Sequence, residues 1–145
     1  MEAKTKNEIR KKIKDFFDSK REIHFVYLFG SIVSKNVFRD IDIAIYMDTM
    51  PDLITQGKLQ ATLDNIFEYK MDLVILNDLP DKNPTFAHEI MTKGELLLNK
   101  DPGIHTDYKS KVFRYYFDTA YLRDQFEDAF KQRIKTGKFG ERDYE

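Results

Sequence analysis

The chain has no cysteine, which excludes disulfides and thiolate metal sites. Neither charge sign is in excess: 24 Lys and Arg face 25 Asp and Glu, a formal net charge of −1. That balance argues against holding nucleic acid by bulk electrostatics, so nucleic acid is not expected as a direct partner. No apolar run approaches the roughly 20 residues that span a membrane. The opening MEAKTKNEIRKKIKDFF is charged and lacks the apolar core of a signal peptide, which makes the cytoplasm the expected location. Repeats, low-complexity tracts and interdomain linkers are also missing. What remains is 41% hydrophobic and 34% charged over 145 residues, the composition of one globular domain, expected to span 1–145.

Hydrophobic spacing predicts the elements. Ile9, Ile13, Phe16 and Phe17 form one stripe of a helix over 6–19. The run IHFVYLF over 23–29 is dense in β-branched and aromatic residues and reads as a buried strand stopped by Gly30. Residues 31–36 read as a short helix with Ser31 as N-cap. RDIDIAIYM over 39–47 alternates, with Ile41, Ile43, Ile45 and Met47 on one face and Asp40, Asp42, Ala44 and Tyr46 on the other. A helix over about 52–68, a strand over 71–76 and a polar turn over 77–84 follow. Next come a helix over 86–93 closed by Gly94 at C′, a short edge strand over 95–98 and a turn at 101–103. Residues 106–134 read as one long helix, and 136–145 as a flexible polar tail. This order predicts an α/β (α+β) sandwich with a small mixed sheet, helices mainly on one face and a long C-terminal helix.

Chemistry concentrates in two places. Gly30-Ser31 follows the first strand, and Asp40-Ile41-Asp42 opens the second. Strand residues i and i+2 share a face, so Asp40 and Asp42 project together. Asp72, near the start of MDLVIL, is the candidate third carboxylate. Two divalent ions about 3.5–4 Å apart can clamp a phosphoryl group, and a glycine turn lets the backbone approach phosphate. Each part alone is ordinary: a turn, a solvated strand face, a surface carboxylate. In this order they point to metal-assisted chemistry on a nucleotide.

Gly30-Ser31, then Asp40-x-Asp42, then Asp72 resembles the nucleotidyltransferase fold of the DNA polymerase β superfamily, and in particular its minimal nucleotidyltransferase (MNT) members. MDLVILNDLP, the helix with Glu89 and Ile90, KGELLLNKDP and RYYFDTAYLRDQF extend the resemblance over most of the chain. It implies a magnesium-dependent transferase, with two ions, that moves AMP from ATP onto a tyrosine hydroxyl of a partner HEPN-domain toxin. Such an antitoxin neutralises the toxin, a helical ribonuclease. Carried onto this chain, Gly30 and Ser31 bind the β- and γ-phosphates, and Asp40 and Asp42 ligate magnesium. Asp72 ligates the second ion and favours deprotonation of the acceptor. The family's second glycine is replaced in Ile32-Val33-Ser34-Lys35-Asn36; Asn36 is expected to take its left-handed position and Lys35 to supply the positive charge for the nucleotide. The alternatives are an antitoxin that only masks the toxin, and a transferase with a small-molecule or RNA acceptor.

His24, His88 and His105 fall on different elements and are not expected to form a metal site. Phe113, Tyr116, Phe117 and Ala120 can pack one face of the last helix on the domain. Tyr115, Leu122, Phe126 and Phe130 do not share that face, which suggests a partner surface. Lys11, Lys12, Lys14, Lys20 and Arg21 read as a solvated basic face.

Overall fold

A computed structural model describes residues 2–135. The chain begins with α1 (Glu2–Asp18), which buries Ile9, Ile13 and Phe17, and turns through Lys20 into β1 (Ile23–Phe29). The short α2 (Ser31–Ser34) leads to β2 (Asp40–Met47). Asp52 caps α3 (Leu53–Ile66) by accepting from the Thr55 amide at 2.7 Å. Then come β3 (Lys70–Ile75), α4 (Leu79–Lys82), α5 (Pro84–Lys93), β4 (Glu95–Asn99) and α6 (Pro102–Lys135).

The four strands are ordered β3-β2-β1-β4. β1 pairs antiparallel with both β2 and β4, whereas β2 and β3 are parallel. A parallel pair needs a crossover, and α3 supplies it. The mixed sheet, the flanking helices and the long last helix agree with the expected fold class, and β4 is the expected edge strand.

The helices cover both faces, not mainly one. Ile41, Ile43, Ile45 and Met47 pack with Ile9, Ile13 and Phe17 of α1 and Leu63 of α3. On the reverse face Phe25, Tyr27 and Ala44 pack with Ala87, Ile90 and Met91 of α5 and with Tyr108 and Val112 of α6. The Tyr108 hydroxyl is buried there and donates to the Leu76 carbonyl at 2.6 Å. The face that carries Asp40 and Asp42 is therefore solvated only at its end.

Other local expectations shift for physical reasons. The stretch 77–84 is no plain turn: it holds α4, stapled by a 2.7 Å Asp78–Lys82 ion pair, before Asn83 caps α5. α6 starts at Pro102, because Asp101 accepts from the Ile104 amide at 3.1 Å and proline suits the first helical position. Gly94 is extended, with φ −75°, and is not a left-handed cap; a Cβ there would lie 2.4 Å from the Ile90 carbonyl oxygen. Lys12 is not merely solvated, since its ammonium donates to the Ile66 carbonyl at 2.9 Å and covers the Phe67 ring.

At 1.5 Å per residue α6 is about 50 Å long. Phe113 and Tyr116 are half-buried, but Phe117 does not pack as expected and is 62% exposed. Tyr121 and Leu122 are exposed as well. The side chains of Phe126 and Phe130, and residues 136–145, lie outside the described residues. Among the described residues no helix is long and apolar enough to cross a membrane.

Candidate active site

The three aspartates lie at the N-terminal ends of β2 and β3. Parallel pairing sets Asp42 opposite Asp72 and Asp40 opposite Lys70. Antiparallel pairing sets Phe29 opposite Asp42. Partners across a ladder share a face, so Phe29, Asp42 and Asp72 form a row across three strands. Asp40 stands on the same face, about 7 Å along its strand from Asp42.

Gly30 closes this row. Its φ of 80° and ψ of −153° lie in a region essentially reserved for glycine. A Cβ at Gly30 would lie 2.0 Å from Asp42 Oδ2. The backbone of the turn therefore rests directly on the carboxylate. Gly30, not Ser31, is the N-cap of α2, and it caps with backbone alone: its carbonyl accepts from the Val33 and Ser34 amides at 3.1 and 3.2 Å. Ser31 is the first helical residue, next to the aspartate row.

The segment after Ser31 differs from expectation. Among the described residues Gly30 alone has positive φ, so Asn36 is not left-handed. The chain leaves α2 through Lys35 in an extended conformation, with φ −128° and ψ 157°. Lys35 is exposed, its carbonyl accepts from Lys6 Nζ, and among the described residues no ion pair joins it to the aspartates. The lysine that reaches the site is Lys70, whose Nζ is 4.0 Å from Asp72 Oδ1. Its signal in the sequence is its position two residues before Asp72, which puts both on one strand face.

The electrostatics follow from this crowding. Burial raises the Asp42 pKa to about 6, and Asp72, close enough to share a proton with it, adds to the shift. Asp40 raises it further, and Lys70 opposes the rise. Between about pH 4 and pH 6 the folded protein holds a proton at Asp42 that the unfolded chain has released. The stability contributed by this group therefore falls as pH rises through that window. Above it, the ionised group costs on the order of 1 kcal/mol once its solvent-facing side is discounted.

Among the described residues no three His, Cys, Asp or Glu side chains close into a complete metal-binding group. Asp42 and Asp72 are paired, and Asp40 stands one pleat away. The donors are all oxygen, and three carboxylates outweigh the one nearby ammonium, Lys70, which suits a hard cation that draws its remaining ligands from water and substrate phosphate. A cation here must displace the Asp42 proton, so its binding strengthens as pH rises. Magnesium is accordingly expected to raise the melting temperature by roughly 3–5 °C at about pH 7.5 and by much less at about pH 5, measured by scanning fluorimetry. Equal effects at both pH values would remove Asp42 from the cation site.

A cavity of about 290 Å³ adjoins the turn, lined by Phe29, Gly30, Ser34, Phe86, Glu89 and Lys93 among others. A wider depression of about 740 Å³, bordered by Met50, Leu53, Ile54 and Leu79, lies at the other end of β3 beside Ile75 and holds none of the candidate site residues. The histidines do not gather. His105 Nε2 is 2.7 Å from the Tyr27 hydroxyl, His88 stacks on Tyr116 at 3.7 Å, and His24 faces Tyr46.

Comparison with known proteins places this geometry. Residues 11–103 match the family model described as Polymerase beta, Nucleotidyltransferase. No curated protein matches the chain at a significant level. Among solved structures, the chain is similar to one in a toxin–antitoxin complex with AMP-PNP, at 23% identity and a TM-score of 0.69, covering 84% of this chain and 98% of that one. It is also similar to one in the toxin–antitoxin MntA–HepT, at 22% identity and a TM-score of 0.65, covering 84% and 96%. A third likeness is to a complex of tri-AMPylated Shewanella oneidensis HEPN toxin with MNT antitoxin, at 24% identity and a TM-score of 0.65, covering 90% and 99%. These structural likenesses concern the fold, and the sequence match spans the turn and all three aspartates. The chain belongs to the polymerase beta nucleotidyltransferase family.

Proposed function

We propose that the protein is an antitoxin that transfers AMP from ATP to a tyrosine hydroxyl of a HEPN toxin. The observation that carries this reading is the contact of the Gly30 turn with Asp42, beside Asp72: a phosphate-accommodating backbone and paired carboxylates occupy one place in a nucleotidyltransferase fold. The structures it resembles include one with AMP-PNP and one with a tri-AMPylated HEPN toxin.

In this reading Gly30 and Ser31 hold the β- and γ-phosphates, and the missing side chain lets the backbone approach them. Asp40 and Asp42 are ligands of one magnesium ion, and Asp72 contributes to a second. Magnesium bound there neutralises triphosphate charge and stabilises the charge of the transition state. The tyrosine oxygen attacks the α-phosphorus and forms the new P–O bond. The bond from the α-phosphorus to the bridging oxygen breaks, and pyrophosphate leaves. Asp72 favours loss of the tyrosine proton and receives it. Exposed Phe117, Tyr121 and Leu122 on α6 offer the apolar, aromatic surface that suits a protein partner. We place the pair in the cytoplasm, where a toxin that cleaves cellular RNA would meet its substrate.

The test is the intact mass of the toxin co-expressed with the wild-type protein or with an Asp40→Ala/Asp42→Ala variant. One or more added AMP units with wild type only is the expected result. An unmodified toxin that is nevertheless inhibited in complex would replace catalysis with masking.

A further inference from the structure

Asp72 lies on β3 at the edge of the sheet, with β2 on one side and, among the described residues, no strand on the other. Backbone groups of successive strand residues point to alternate sides. The Leu76 amide donates inward to the Ile45 carbonyl at 2.8 Å, so even-numbered residues face β2, and Met71 and Leu73 face out. An edge strand leaves such groups without a ladder partner. Here one side chain takes the place of the missing strand. Gln60 of α3 donates from Nε2 to the Met71 carbonyl, and its Oε1 accepts from the Leu73 amide at 3.3 Å. Nε2 also donates to Asp64 Oδ1 at 3.2 Å, which fixes the way the amide faces. The two backbone bonds flank Asp72 on either side.

Asp72 needs such a hold. Asp42 stands opposite it, and paired carboxylates repel when both are ionised. β2 is held between β1 and β3, whereas β3 can yield outward. Lys70 Nζ, 4.0 Å from Asp72 Oδ1, sits on a well-exposed side chain and offers little restraint. We propose that Gln60 is a positioning residue of the aspartate site: its amide, a surrogate strand, holds Asp72 beside Asp42 against their repulsion. The inference rests on the transferase reading and goes beyond it, because Gln60 acts through the β3 backbone and not on the substrate. The fold supplies its own comparison. Asn77 uses its amide in the same way, accepting from the Met47 amide at 2.9 Å and donating to the Met47 carbonyl at 2.8 Å. That clamp sits at the end of β2 away from the aspartates.

Three variants of the full-length protein test this. Gln60→Met keeps the side-chain length and loses the amide, Gln60→Asn keeps the amide but falls one methylene short, and Asn77→Leu removes the distant clamp. Each is measured for AMP transfer to the toxin, for melting temperature with and without magnesium, and for hydrogen exchange at the Leu73 amide. Both Gln60 variants are expected to lose about tenfold or more in kcat per folded molecule with KM for ATP within about threefold, because a misplaced group costs turnover more than binding. They should also lose most of the magnesium-induced rise in melting temperature, and Leu73 should exchange faster. Asn77→Leu should lower the melting temperature while leaving kcat and the magnesium response at wild-type values. A Gln60→Met protein that loses stability but keeps wild-type kcat and magnesium response would overturn the proposal and leave the transferase reading standing. If the wild type transfers no AMP, the transferase reading falls, and the magnesium response decides the role of Gln60. A response that Gln60→Met abolishes supports the positioning role; one that it leaves intact, or none in the wild type, overturns it.

Discussion

Replacing Asp42 with asparagine is expected to stop nucleotidyl transfer while making the metal-free fold more stable. The two effects have one cause. Asp42 is partly buried beside Asp72 and Asp40, and this surrounding negative charge and burial lift its pKa to about 6. At neutral pH it is ionised against that resistance. Asparagine keeps the shape and removes the charge, which should return on the order of 1 kcal/mol after allowance for solvent exposure. The same change removes an anionic oxygen from the site proposed to hold magnesium. Loss of a preorganised electrostatic group costs about 100- to 1,000-fold in turnover, and a metal ligand belongs at the upper end. Thermal melts without magnesium, set beside a transfer assay on the toxin, give both numbers. A variant that is less stable and proportionately less active would make Asp42 a structural residue. A variant that is more stable but inactive identifies it as functional, since sites commonly hold groups the fold would be better without.

Much of this was legible in the chain because apolar spacing decides strand faces. The run at 23–29 is β1 to the residue, and the alternation over 39–47 is β2 with its isoleucines on one face and its aspartates on the other. The second core was harder to read. Ala87, Ile90 and Met91 on α5, with Tyr108 and Val112 on α6, are thinly spaced, and the aromatics of α6 cover more than one stripe. Spacing therefore predicts these helices but not that they cover a second face of the sheet, opposite α1 and α3. The start of α6 was missed because Asp101-Pro102-Gly103 reads equally well as a turn and as a capped first turn; the Ile104 amide bond to Asp101 decides it.

The site divides in the same way. That Asp40 and Asp42 share a face follows from strand geometry alone. That Asp72 stands opposite Asp42, with Lys70 opposite Asp40, depends on the register of two strands separated by a helix, which local pattern does not specify. Lys35 draws attention in the sequence because it is near Gly30. In space it follows the last residue of α2, exposed, and its backbone carbonyl accepts from Lys6. Glu89 was visible only as part of a helix. Its place at the rim of the cavity arises from the docking of α5 against Phe29 through Phe86.

Gly30→Ala is expected to destabilise the protein by about 2–4 kcal/mol and to reduce transfer by at least about 100-fold in the molecules that still fold. Two costs combine. The backbone at φ 80° and ψ −153° is strained for any residue with a Cβ, worth about 1–3 kcal/mol. The added methyl would also stand 2.0 Å from Asp42 Oδ2. The backbone has little freedom to yield, because the preceding residue, Phe29, is paired with Asp42 in the β1–β2 ladder. Asp42 must therefore rotate away and leave the row. Gly94→Ala is the matched control. Its Cβ would meet the Ile90 carbonyl oxygen at 2.4 Å, but φ there is an ordinary −75° and the contact is remote from the aspartates. It should cost stability while leaving turnover per folded molecule unchanged. A double-mutant cycle separates strain from clash: with Asp42→Ala already in place, the Cβ of Gly30→Ala loses its obstacle, and the remaining cost should fall to the backbone strain of about 1–3 kcal/mol. If Gly30→Ala costs the same in both backgrounds, the turn does not rest on Asp42, and the contact on which the site is built is not the one that matters.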